Sequence, residues 1–352
     1  VSATSPPKDG EREQGAPGYE DVPHFTSPMQ EYTALRSGAA LVDRSMRLRM
    51  LFSGAKAAEA LTGLVTNDVL ALKPGSGLYS AALTAKGKII ADARVFARAD
   101  DLLVDVPRSA AGGFAAMIRK FVNPRLARYV DVSASVRTLG VFGPRAHTVV
   151  AAALALDGSA LAALAPYQHL ALDIDSARSY IAAVPDLGGP GFDFFVPEEI
   201  AGALWSRLAG AGAVPTGTAA CNIARVEAGR PLWGTDMDES TLAQEANFDA
   251  LGGISYTKGC YTGQETVARV HFRGHVNRSL RGVQSGRPVP RGAQLLAADA
   301  QPCGDVRSSV DSPRLGPIAI AMLKRAVETG AQITARWEGG ECSVLVRELP
   351  FE

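Results

Sequence analysis

The stretch Lys258-Gly259-Cys260-Tyr261-Thr262-Gly263-Gln264-Glu265-Thr266-Val267-Ala268-Arg269 carries the densest pattern in the chain. Two glycines bracket a cysteine, and glycine permits backbone angles and close approaches that other residues resist. Thr262 and Glu265 have the spacing of a capping box, which predicts a short helix starting there. Cys260 then sits just before a helix N-terminus and beside Lys258, and both features favour a thiolate. Glu265 and Arg269, four apart, can pair on the helix face. A tight loop around an inert, packed cysteine accounts for the same residues, because free cysteines are commonly buried. The texture of the chain also changes here: strands alternate with helices upstream, and strands alternate with turns downstream.

Upstream, Ser27 as N-cap with Pro28 at the first helical position predicts a helix ending near Gly38. Residues 47–52 alternate apolar and basic like a half-buried strand, and 54–68 reads as a helix. Strands at 77–84, 88–97 and 101–106 and a helix at 109–121 complete a first unit. The order then returns, with strands at 138–142, 167–174, 179–184 and 192–196 and helices at 144–156 and 197–210. Two split-βαβ units, each a sheet with helices on one face, explain the recurrence. From Ser279 onward only strands and turns remain, including two strands flanking Gly339-Gly340, so a small antiparallel barrel closes the chain. The expected class is α+β: two ferredoxin-like (split-βαβ) lobes (residues 24–136 and 137–268) and a C-terminal antiparallel β-barrel (269–352). Residues 1–23 are rich in Pro, Gly and charge and read as a flexible tail.

The 352 residues contain 36 lysines and arginines against 36 aspartates and glutamates, so no bulk charge points to DNA or an anionic membrane. With 47% apolar residues, wholesale disorder is excluded. The longest apolar run, near residues 149–156, stops at Asp157 and is too short for a membrane span. The four cysteines, at 221, 260, 303 and 342, form no CxxC pair, which argues against a disulfide framework or a cysteine zinc site. Cys221, Cys303 and Cys342 are expected to be structural, and no metal site is expected. The tail holds one arginine among several acids and no apolar core, unlike a transit or secretion signal. A cytoplasmic protein is the expectation.

KGCYTGQE resembles the signature of the YgfZ-like folate-binding proteins, a branch of the glycine-cleavage T-protein (aminomethyltransferase) superfamily. Arg225-Val226-Glu227-Ala228-Gly229-Arg230-Pro231, with Gly234-Thr235-Asp236 and Glu245, is similar to the superfamily's RxEAGxPxxGxD segment. Leu41-Val42-Asp43-Arg44-Ser45, Thr66-Asn67-Asp68-Val69 and Gly87-Lys88-Ile89-Ile90-Ala91-Asp92 fall in the expected order. The resemblance covers roughly residues 30–350 and implies two α+β lobes and a barrel packed around a folate cavity.

By that resemblance, Asp92 aligns with the carboxylate that lies near the reactive folate nitrogen in the T-protein, where it can orient or deprotonate an amine. Tyr79 is a ring placed to flank the folate, or one packed in a core. Arg225, with Glu227 beside it, can make a forked bond to a folate carboxylate, or the two can serve as structural ion-pairing groups. Trp233 can stack on a flat heterocycle or anchor a core. The pattern also departs from the T-protein's. Gly189 stands where the pterin-anchoring glutamate is expected, the N-terminal GWxMPxxY pattern is missing, and Asp43-Arg44-Ser45 replaces DxSHM. Arg269, Arg273, Arg278, Arg281, Arg287 and Arg291, with His271 and His275, make a basic stretch. It reads as a solvated face, as an attractor of the folate tail, or as an RNA contact.

The resemblance implies a protein that binds tetrahydrofolate or a one-carbon derivative and assists iron–sulfur cluster assembly or repair, with effects on tRNA thiomethylation. Cys260, supported by Lys258, is its expected functional thiol, and iron–sulfur clients or assembly proteins are its expected partners. The alternative is a folate-dependent aminomethyltransferase or demethylase with Asp92 as its key carboxylate.

Overall fold

The computed structural model describes residues 22–351. The expected tail therefore lies outside the described residues except for Val22 and Pro23. The carbonyls of these two accept hydrogen bonds from Thr218 and Ala219, so they are tied to the body of the protein. Helix α1 (Pro28–Ser37) starts as its sequence dictates, with the Ser27 hydroxyl accepting from the Gln30 amide at 3.3 Å and Pro28 in the first turn.

Elements β1 (Ala40–Asp43), β2 (Arg47–Ser53), α2 (Ala57–Thr62), β3 (Ser76–Leu83), β4 (Ile89–Ala97), β5 (Asp101–Pro107), α3 (Ala111–Phe121) and β6 (Arg128–Asp131) follow. Five of the strands form the first sheet, in the order β3-β4-β5-β2-β6. Its alternation sorts the side chains. Leu48, Met50, Ala91, Ala93, Val95, Leu102, Val104 and Val106 pack with Phe114 and Ile118 of α3 in one core. The other face carries Arg47, Arg49, Tyr79, Asp92, Arg94 and Asp105, as the pairings Arg49↔Asp105, Arg94↔Asp105, Tyr79↔Arg94 and Ala81↔Asp92 require. The expected helix over 54–68 is only α2. Val65 instead bridges Ala82, and the Thr66 amide donates to Ala81, so the chain is pulled onto the sheet after one and a half turns.

Elements β7 (Val136–Phe142), α4 (Ala146–Leu154), α5 (Gly158–Ala162), β8 (His169–Ile174), β9 (Ala177–Ala183), β10 (Gly191–Pro197), α6 (Glu198–Gly210), β11 (Val214–Pro215) and α7 (Thr218–Glu227) build the second lobe. Its sheet has the order β11-β1-β7-β10-β9-β8, so β1 pairs here although its sequence position lies in the stretch assigned to the first lobe. One face of this sheet packs on α4 and α6 around Trp205 and Phe194. The other carries Val42, Phe142, Asp193 and Phe195 toward the first lobe, and a large central core joins the two.

Residues 228–263 run back over the first lobe, and α8 (Gln264–Arg273) follows. Strands β12 (Arg278–Ser285), β13 (Gln294–Leu296), β14 (Pro302–Ser312), β15 (Gly316–Lys324), β16 (Gln332–Trp337) and β17 (Gly340–Arg347) close a six-stranded antiparallel barrel. The fold is thus the expected α+β arrangement of two lobes and a barrel. The expected capping box at Thr262 does not form. The residue preceding α8 is Gly263 with φ +86°, and the Thr262 hydroxyl faces the Gly63 carbonyl at 3.5 Å. Only glycine fits at 263, since a Cβ there would lie 2.6 Å from the Thr84 carbonyl oxygen.

Candidate functional site

The polar faces of the two sheets meet in a buried charge network. Arg94 on β4 sits 2.7 Å from Asp193 on β10, 3.0 Å from Asp105 on β5 and 3.0 Å from Asp186 in the β9–β10 loop. Arg44, just after β1, donates to the same Asp186 oxygen at 2.5 Å, and Arg47 pairs with Asp105. Gly140 makes room for this: a Cβ there would come within 3.1 Å of both the Arg44 chain and an Asp193 oxygen. Burial opposes ionisation of Asp105, but Arg47 and Arg94 outweigh it and hold that carboxyl below the usual range. Asp186 behaves likewise, with Arg44 and Arg94 overcoming the burial. At Asp193 burial wins and the pKa rises.

Beside this network lies a cavity of about 1130 Å³ of space not filled by atoms, counting its open mouth. Tyr79, Asp92, Arg94, Arg44, Arg47, Asp186, Arg225, Arg230, Trp233 and Phe25 are among the residues that wall it. Asp92 is 8% exposed. Its Oδ2 receives the Tyr79 hydroxyl at 3.4 Å, and its Oδ1 has no partner. Burial raises the Asp92 pKa against the pull of Arg47. The Tyr79 hydroxyl is pushed far up by burial and then by Asp92. The Tyr79 ring stacks between Tyr167 and Phe248 at 6.3 and 5.0 Å.

Of the residues singled out from sequence, Asp92, Tyr79, Trp233 and Arg225 therefore share one cavity. Arg225 is not available to a ligand. Its five N–H groups go to Asn222 (twice), the Arg230 carbonyl, Asp236 and Ser308. Glu227 lies elsewhere and is consumed as well, accepting from Tyr32 at 2.8 Å and from Arg36 and Ser312, and so pinning α1, α7 and the barrel together. Both are structural, contrary to the forked-bond expectation for Arg225.

The signature segment does not wall the cavity. The Lys258 ammonium donates to the carbonyls of Thr62, Val65 (2.6 Å) and Asn67 (3.1 Å), which uses its three protons and leaves none for Cys260. Its pKa falls to about 8 through burial. Cys260 and Gly259 are exposed. The Tyr261 ring lies 4.5 Å from the Lys258 ammonium, and Gly263 abuts the β3–β4 turn. Gln264 opens α8, where Glu265 and Arg269 are exposed with no ion pair between them among the described residues. The segment clips residues 62–67 in place, and Asn67 in turn donates to the Tyr79 carbonyl at 2.9 Å.

The basic stretch is dispersed rather than a strip. Arg278 pairs with Glu245, Arg281 caps the Val327 carbonyl, Arg287 lies over Trp337, and Arg291 reaches the Gly234 carbonyl. His271 stacks on Tyr256 at 3.6 Å. Cys221 is buried and its pKa is pushed up to about 12. Sequence reading missed Arg94, Asp186, Arg230 and Tyr167. A trace of the first was visible: Asp92 and Arg94 stand two apart on a strand whose other residues are nearly all apolar.

Residues 14–252 match the GCVT N-terminal domain family, and residues 278–351 match the glycine cleavage T-protein C-terminal barrel domain. The chain belongs to the glycine cleavage T-protein family. It is 30% identical over 339 residues to the aminomethyltransferase of Rubrobacter xylanophilus, covering 95% of this chain and 86% of that one. It is 27% identical over 343 residues to the aminomethyltransferase of a Nostoc species, covering 95% and 90%. The crystal structure of glycine cleavage system aminomethyltransferase T from Bartonella henselae superposes with a TM-score of 0.85 at 24% identity, over 94% of this chain and 91% of that one, and so shares the fold.

These relatives correct the leading functional expectation. The curated relatives, which align with 85–95% of this chain, are named aminomethyltransferases, and this overturns the reading as an iron–sulfur cluster assembly protein acting on tRNA thiomethylation. Aminomethyltransferases use tetrahydrofolate as the one-carbon acceptor. The cavity suits that molecule. It pairs aromatic walls with charged groups, and two lining residues, Asp92 and Trp233, present polar atoms that the protein leaves without partners.

Proposed function

We propose that this chain binds tetrahydrofolate in the central cavity and transfers a one-carbon unit to it from an amine-type donor. The observation that supports this most is Asp92: an almost buried carboxyl with one free oxygen, on the cavity wall of a T-protein family member. Tetrahydrofolate supplies the nucleophilic N5 and N10 amines that accept the carbon, as the donor's bonds from that carbon to its amine and to its carrier break and release ammonia and the carrier. Asp92 orients the folate amine and takes its proton, and burial, by raising the carboxyl's pKa, brings it nearer to working pH as a base. Tyr79 donates to Asp92 Oδ2 and fixes the carboxyl's rotation. Trp233 provides a flat wall for the heterocycle, while the Tyr79 ring, stacked between Tyr167 and Phe248, presents only its edge. Lys258 and the rest of the signature hold the first lobe's loop behind Tyr79.

The test is to incubate the protein with tetrahydrofolate and an aminomethylated carrier protein, whose carbon is already at the oxidation level of a methylene folate, and to measure the one-carbon folate formed by mass spectrometry together with the ammonia released. Turnover is expected and is expected to be lost in Asp92→Asn. No turnover, while tetrahydrofolate binds, would refute the transfer reaction.

A further inference from the structure

Asp186 has a use beyond pairing with arginine. Arg44 and Arg94 both donate to its Oδ2, at 2.5 and 3.0 Å, and no group among the described residues donates to Oδ1. The side chain is 20% exposed, and the residue lines the cavity. The other two carboxylates on the wall are less suited to a ligand. Asp92 is assigned to the reacting amine and holds the Tyr79 hydroxyl, and Asp43 accepts the Ser45 amide. Within the β9–β10 loop Asp186 is the only acid, for Gly188 and Gly189 have no side chain.

Arg230 lines the same cavity, and its guanidinium makes no hydrogen bond or ion pair among the described residues. It is close enough to act electrostatically on Asp186, Tyr79 and Tyr167. A free carboxylate oxygen beside a free guanidinium is an acceptor next to a donor. A 2-amino-4-oxo-pyrimidine edge is the complement: its 2-amino and N3–H groups donate and its 4-oxo group accepts.

We propose that Asp186 and Arg230 form the subsite that reads the pyrimidine edge of a reduced pterin, selecting 2-amino-4-oxo over 4-amino rings. This rests on the folate reading above and adds to it the residues that set ring specificity. Arg44 and Arg94 are positioning residues in this arrangement, fixing Oδ2 so that Oδ1 faces the ring.

The experiment is titration calorimetry of wild type, Asp186→Asn and Arg230→Gln with tetrahydrofolate and with its 4-amino analogue. Wild type is expected to prefer tetrahydrofolate at least tenfold. Asp186→Asn is expected to weaken tetrahydrofolate binding roughly 10- to 100-fold, the worth of a charged hydrogen bond. Arg230→Gln is expected to fold normally, since it breaks no pair, and to lose the preference between the two rings. Equal binding of both rings by wild type, or full preference retained in Arg230→Gln, overturns the subsite while leaving folate binding intact. Failure of wild type to bind tetrahydrofolate at all would instead refute the folate reading and this subsite with it.

Discussion

Replacing Asp92 by asparagine is expected to make the protein more stable while removing the carboxyl that handles the proton. Asp92 is held on β4 with Oδ1 unpartnered and Oδ2 receiving one long hydrogen bond from Tyr79 at 3.4 Å. Burial raises its pKa, so the fold carries the cost of ionising it. In the unfolded chain an aspartate ionises near pH 3.9. Between that value and the raised native value, the folded protein keeps a proton that the unfolded chain has released. Stability therefore falls as pH rises through this window and stays reduced above it. Asparagine has no charge to bury, and its amide oxygen can accept the Tyr79 hydroxyl. The relief is bounded by the roughly 1–3 kcal/mol cost of an unsatisfied buried polar group, less what the amide's own unpaired N–H costs. A net gain of about 1 kcal/mol raises the melting midpoint by about 2–4 °C in proteins of 150–250 residues and by less in a longer chain. The assay is differential scanning fluorimetry of both proteins from about pH 4 to about pH 8. Asp92→Asn is expected to melt higher at the alkaline end, with the gap closing toward the acid end. A variant that melts lower near neutrality, or a gap of equal size at every pH, would mean that Arg47 and Arg94 fully compensate the charge.

Lys258→Met removes three charged hydrogen bonds to carbonyls, each worth roughly 1.5–3 kcal/mol and not additive. A loss of about 2–4 kcal/mol in urea unfolding is expected, together with weaker tetrahydrofolate binding as Asn67 and Tyr79 loosen. Cys260→Ser changes an exposed side chain and is expected to leave stability within about 0.5 kcal/mol of wild type. Its one-carbon transfer is expected to be intact, and loss of transfer in this variant would return the thiol to the site. Glu227→Ala strips Arg36, Tyr32 and Ser312 of their common acceptor and is expected to cost about 3 kcal/mol. Hydrogen exchange should show it, with α1 and the barrel strand β14 losing protection together.

Strand positions were legible from short apolar, β-branched runs bounded by turn residues: 101–106 was expected and Asp101–Pro107 is found, buried at every position after Asp101. The start of α1 was legible for the same local reason, a Ser-Pro pair. What failed was long-range. Nothing within residues 40–43 says that they pair with β7 and β11, about 100 and 170 residues away, rather than with β2. The helix expected over 54–68 ends early because Val65 and Thr66 are captured by β3, a contact that no local window contains.

The site divides along the same line. Asp92 was found through its alignment with the T-protein carboxylate, Tyr79 as a ring placed to flank the folate, and Trp233 as a flat ring able to stack on a heterocycle. Arg225 and Glu227 were singled out as well and serve the fold, since the chain spends all five donors of one and the carboxylate of the other on its own groups. Asp186 and Arg230 went unseen because each sits in a loop, where a charge is the ordinary case and carries no signal. The signature misled for a further reason. A glycine, cysteine and lysine in tight sequence suggest chemistry at the cysteine, but a lysine whose three protons end on three carbonyls of another loop is a clip. That clip holds residues 62–67, these hold the Tyr79 backbone through Asn67, and Tyr79 holds Asp92. The residues that stand out most in the sequence therefore act on the cavity at two removes, and the effect of changing them is expected in ligand affinity and stability before any effect on the reacting atoms.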